Sequence, residues 1–150
     1  MKCKVALVTI LVAVAAFVFA SHGPLGQALW PASVALVAPP TELEATLFML
    51  LDVFDALALG VGVAFILFGW STVKRVAAPS MGRAAIMYVS TAWFLTNWWM
   101  HDNIHYVTGL RPGALLATEY AFHVTLMFSG AALAYAFATA AKQEPKGARV

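Results

Sequence analysis

The chain has 150 residues, 62% of them hydrophobic and 11% charged, with a mean hydropathy of +0.81. An apolar share far above the roughly 45–50% of soluble domains excludes a water-soluble globule and a disordered chain. Cys3, the one cysteine, excludes a disulfide scaffold, and a net charge of +2 from scattered basic residues excludes nucleic acid as a partner.

Four apolar segments are long enough, or nearly so, to cross the roughly 30 Å of a bilayer core. The first, about 5–21, follows Lys2 and Lys4 and reads as a membrane helix, with a secretory signal peptide cut after Ala20 as the alternative. The segment 22–43 is itself largely apolar and is expected on the membrane surface, anchored by Trp30. Pro39 and Pro40 stop it, and Thr41 with Glu44 three residues later predicts a capping box that opens the second span, about 43–70. A third span is expected at about 83–107 and, after a short turn, a fourth at about 113–141, opened by Pro112. The fold expected is therefore all-α: an integral membrane four-helix bundle in one domain, 1–150, with three helices if residues 1–20 are removed.

Lys and Arg concentrate on the cytoplasmic side of membrane proteins. Lys2, Lys4, Lys74, Arg75, Arg83, Lys142, Lys146 and Arg149 all fall on one side of this topology, and only Arg111 falls on the other. Both termini are thus expected in the cytoplasm of a multi-pass cell-membrane protein, with the 22–43 and 107–113 loops outside.

Acids and histidines then converge in depth. At about 1.5 Å per residue, Asp52 and Asp55 lie roughly 12 and 16 Å below the outer end of their span, His101 roughly 9 Å, and Glu119 and His123 roughly 9 and 15 Å. Asn97, His101 and His105 recur at i, i+4 and i+8, Glu119 and His123 at i and i+4, and Asp52 and Asp55 at i and i+3, so each helix carries one polar stripe. Intramembrane charge costs about 2.5–3.5 kcal/mol per group, which turns these stripes inward to meet one another. Gly60, Gly62 and Ala64 in the second span, and Ser129, Gly130 and Ala131 in the fourth, are small enough for close helix contact.

Imidazoles and carboxylates at one-turn spacing are how helical bundles hold metal ions. His101, His105, His123, Glu119, Asp52 and Asp55 are accordingly the ligand candidates for a divalent transition metal, zinc, iron or copper, on the extracytoplasmic side. The functions that follow are a small metal-dependent oxidoreductase or hydrolase, or a metal-bearing subunit of a membrane complex. Alternatives are a b-type haem held by His123 with His101 or His105, a proton relay whose polar stripe stops halfway, and a polar cluster that only sets helix register through pairs such as Asp52 to His101 and Glu119 to His105. The partners expected are the bilayer and either other membrane proteins or further copies of the chain. His22 is expected at the interface outside the site, and Trp93, Trp98, Trp99 and Tyr106 in lipid-facing packing and an outer aromatic belt. Phosphate loops, dinucleotide fingerprints and nucleophile elbows are absent from the sequence.

Overall fold

Residues 2–31, 41–109 and 111–141 are described by a computed structural model and are helices joined by short turns, with no strand among them. The apolar stretch 34–38, Pro39, Pro40 and the basic tail with Lys142, Lys146 and Arg149 lie outside the described residues. Helix α1 runs Lys2–Phe19, and a tight turn folds the chain back into the short α2, Gly26–Leu29. A side chain at Gly26 would collide with the Ala20 carbonyl, so that reversal depends on glycine.

Helix α3, Glu42–Phe68, opens on the expected capping box: Thr41 Oγ1 accepts from Glu44 N at 3.3 Å, and Glu44 Oε2 accepts from Thr41 N at 2.7 Å. At Gly69 the chain bends into α4, Trp70–Ala77, an amphipathic helix that lies almost wholly between the expected second and third spans. Helix α5, Met81–Thr108, starts at the N-cap Ser80, whose hydroxyl accepts from Arg83 N. The Arg83 guanidinium is buried and caps the end of α4 by donating to the Ala77 and Ala78 carbonyls. The last span is not one uniform helix. It consists of α6, Pro112–Glu119, a single π-helical turn, Tyr120–Val124, and α7, Thr125–Ala141.

Packing runs in a row: α1 on α3, α3 on α5, and α5 on α6 and α7, with α4 crossing the end of α5 and α7. No extensive α1 to α7 contact closes this row into a ring among the described residues. Three helices are long and apolar enough to cross a membrane, Lys2–Phe19, Glu42–Phe68 and Pro112–Ala140. The long helix that falls short is α5, which carries Asn97, His101, Asp102, Asn103 and His105 and lies between the others in the row, where its neighbours cover that polarity.

Burial is distributed as helices in lipid require. Small residues are inside, Ala13, Ala16, Ala56, Gly60, Gly62, Ala64, Ala84 and Ala136, whereas Leu7, Ile10, Leu11, Met127, Phe128 and Phe137 are exposed. Gly60 faces α1, with Ala13 Cβ 3.2 Å from where its own Cβ would stand, and Gly62 faces α5, at 2.5 Å from Thr96 and 3.0 Å from Leu95 by the same measure. The expected close contacts of the second span are therefore present, on two different faces of α3.

Two tryptophans depart from the expected lipid-facing belt. Trp99 Nε1 donates to the Ala16 carbonyl of α1 at 2.9 Å, and Trp93 Nε1 donates to Thr125 Oγ1 of α7 at 3.1 Å. In an apolar surrounding an indole N–H gains most where a neighbouring helix offers an acceptor, so both rings tie helices together. Asn103 does the same at the C-terminal end of α1: Ser21 N donates to its Oδ1 at 2.5 Å, while its Nδ2 donates to the Trp99 carbonyl.

Candidate metal centre

The turns of α5 stack Asn97, His101 and His105 on one face, with Asn97 and His101 buried. Asn97 donates to the Trp93 and Phe94 carbonyls of its own helix. Opposite it stand Glu119, the last residue of α6, and His123, inside the π-turn. A π-turn is a locally widened helix, is rare, and occurs disproportionately at functional sites. Here it is held in shape by Thr125, whose hydroxyl donates to the Ala121 carbonyl at 2.6 Å and receives the Trp93 indole N–H. Trp93 also stacks on Phe122 of the same turn, with ring centroids 6.0 Å apart.

Between these two walls, ligand atoms of His101, Glu119 and His123 all lie within 4.8 Å of one another. Glu119 joins the imidazoles: Oε1 is 3.0 Å from His105 Nε2, and Oε2 contacts His123 Nδ1. The His101 ring lies edge-on to both, with centroids 4.4 Å from His105 and 4.9 Å from His123. His101 Nδ1 is 2.9 Å from Asp102 Oδ1, and its Nε2 is buried without a hydrogen-bond partner. A carboxylate that accepts the Nδ1 proton leaves Nε2 with a free lone pair, the state in which histidine ligates metals. A buried polar atom left unpaired is costly, a state that His101 Nε2 shares with Asn97 Oδ1 and Asp55 Oδ2.

The site is graded in exposure. The His101 side chain is 10% exposed and the His123 side chain 47%, so the cluster is closed on the α5 side and open along the α6 and π-turn edge. A closed structural metal site would not have such an edge.

The two aspartates of α3 are placed differently. Asp52 Oδ2 is 3.1 Å from His22 Nδ1, so its partner is the turn after α1 rather than His101. Helix α3 has 27 residues, about 40 Å of helix, and its first turns overshoot the 18-residue α1, which brings the depth of Asp52 level with residue 22. Asp55 is buried within reach of the Asp102 side chain, and one of its oxygens has no partner. Asp55 thus stands behind Asp102, which in turn stands behind His101. The pair Glu119 to His105, expected from depth, is present, whereas the expected pair Asp52 to His101 is replaced by Asp52 to His22. Sequence reading missed the orienting role of Asp102, because neighbours at i and i+1 do not normally share a helix face, and missed the π-turn, which has no sequence signature.

His22 is half-exposed, stacked on Phe48 and edge-on to Tyr106. Its pKa is raised above the usual value, chiefly by the hydrogen bond to Asp52, which outweighs the opposing effect of burial. A histidine with a raised folded-state pKa contributes stability in full below its unfolded pKa and loses it as pH rises through the folded value. An NMR titration of the His22 ring is therefore expected to show an upward-shifted midpoint that Asp52→Asn abolishes. An unchanged midpoint in that variant would separate His22 from Asp52.

No protein-family model, curated protein or solved structure matches this chain.

Proposed function

We propose that this chain is a multi-pass membrane protein that binds one divalent transition-metal ion, zinc, iron or copper, between α5 and the α6 to π-turn segment. Its ligands in this reading are His101, Glu119 and His123, with His105 completing the set. The observation that carries it is the group of His101, Glu119 and His123, whose ligand atoms lie within 4.8 Å of one another, together with the buried, unpaired Nε2 of His101. Metal to nitrogen and oxygen bonds of about 2.0–2.2 Å bring ligand atoms within such a span by small side-chain rotations. Asp102 orients His101, Asp55 backs Asp102, and Asp52 belongs to the separate pair with His22. An ion there supplies Lewis acidity or a redox centre at the open edge, for a small oxidoreductase or hydrolase or as the metal-bearing subunit of a membrane complex. We take α5 as a fourth span, shielded by its neighbours, and the run of basic residues on one side of the topology as placing the site on the extracytoplasmic side.

A b-type haem is less favoured. Edge-to-face contact of His101 with both His105 and His123 leaves no space for a porphyrin between His101 and either of them, the axial pairs expected with His101. A cluster that only sets helix register accounts for the Glu119 pairs but leaves His101 Nε2 unpaired.

Elemental analysis and an absorption spectrum of the purified full chain test the proposal. Stoichiometric metal without a Soret band is expected, and His123→Ala is expected to lower the metal content. A Soret band, or protein free of metal after loading with each of the three ions, would overturn it.

A further inference from the structure

At the opposite end of the molecule from the histidines, the bend between α3 and α5 builds a second polar feature. Helix α4 buries Val73 and Ala77 against α5 and α7 and turns Ser71, Lys74 and Arg75 outward. These three, with Ala78, Pro79, Ser80 and Met81, line an open cavity of about 540 Å³. Lys74 Nζ stands 5.9 Å from the centre of the Trp70 ring, and Arg75 reaches only the Thr72 hydroxyl at 3.4 Å. Among the described residues neither cation is paired with a carboxylate, and between Asp55 and Asp102 the sequence contains no acid at all. Two exposed cations therefore share a cavity with two serine hydroxyls, and no acid among the described residues pairs with either cation.

We propose that this cavity binds the phosphate of an anionic phospholipid headgroup. The apolar length of α3 ends at Phe68, one residue before the bend, which puts α4 at the edge of the hydrocarbon. A short helix that buries Val73 and Ala77, starts on a tryptophan and exposes its basic residues beside the apolar Val76 is the arrangement that lies in the headgroup layer. Lysine contributes a compact charge and arginine a two-pronged donor, and serine hydroxyls donate to the remaining phosphate oxygens. Basic pockets at helix ends recognise headgroups in this way. Arg83 holds the floor of the site by capping Ala77 and Ala78.

The experiment is native mass spectrometry of the full chain in neutral detergent, titrated with phosphatidylglycerol, with phosphatidylcholine, and with inorganic phosphate as competitor. Preferential retention of phosphatidylglycerol is expected, with binding about thirtyfold weaker in the Lys74→Gln, Arg75→Gln double variant. Both side chains are exposed, so the variant keeps the fold. Lys2→Gln with Lys4→Gln removes the same charge elsewhere and is expected to leave the preference in place. Equal retention of the two lipids, equal loss in both double variants, or displacement of the lipid by inorganic phosphate alone would each overturn the assignment. None of these readouts involves the histidine cluster.

Discussion

Glu119→Ala is expected to weaken metal binding at least about a hundredfold, more than the 10–100-fold typical of losing an orienting partner behind a ligand. The reason is geometric. Glu119 pairs its two carboxylate oxygens with two imidazoles, one toward His105 and the other toward His123, and it contributes a ligand atom of its own. Removing it takes away the anionic ligand and frees both rings to turn. Glu119→Gln keeps the shape and loses the charge, so it is expected to fall between the two, retaining the helix packing but holding the ion weakly. Chelator competition on purified protein, read as metal retained per chain, gives the ranking wild type, Glu119→Gln, Glu119→Ala. Metal retained by Glu119→Ala at the wild-type level would remove the carboxylate from the site and with it the proposed ligand set. Thermal unfolding with and without metal supplies a second readout, because an ion bound only by the folded chain raises its apparent stability.

Gly60→Val is expected to destabilise the molecule by about 1–3 kcal/mol, the usual cost of overpacking a close contact. At this position the backbones of α1 and α3 approach so nearly that an added Cβ would collide with the Thr9 carbonyl oxygen, and neither helix has a flexible side chain there to move aside. Gly113→Ala serves as the control, since a Cβ at Gly113 has nothing within 4 Å. Denaturant unfolding in detergent is the measurement, and equal midpoints for Gly60→Val and wild type would contradict the packing of α1 on α3. The metal content of Gly60→Val is expected to stay unchanged, because its histidines and Glu119 lie on α5 and the last span, across α3 from α1.

Together these variants separate two jobs that the amino-acid pattern merges. Small residues and polar residues both recur at helical spacing, and spacing alone says which share a face without saying what the face meets. Gly60 and Gly62 both read as small enough for close helix contact, yet they face different helices, because two positions apart on a helix is more than half a turn. Asp52 and Asp55 read as one acidic stripe, yet Asp52 meets His22 while Asp55 meets Asp102.

Helical class, the capping box at Thr41 and Glu44, the bounds of α3 and α5 within two residues, and the meeting of Glu119 with His105 were legible in the sequence. Each depends on interactions within a few residues or on hydrophobic length, and both are written locally in the chain. The break at Gly69 into the amphipathic α4, the π-turn around His123, the pairing of Asp52 with His22 and the unpaired nitrogen of His101 were decided by tertiary structure. They follow from unequal helix lengths, from the order in which helices stand beside one another, and from hydrogen bonds such as Trp93 to Thr125 that join distant parts of the chain. Composition therefore told that polar groups must gather inside an apolar chain; only the packing of helices selected which of them face one another closely enough to hold an ion.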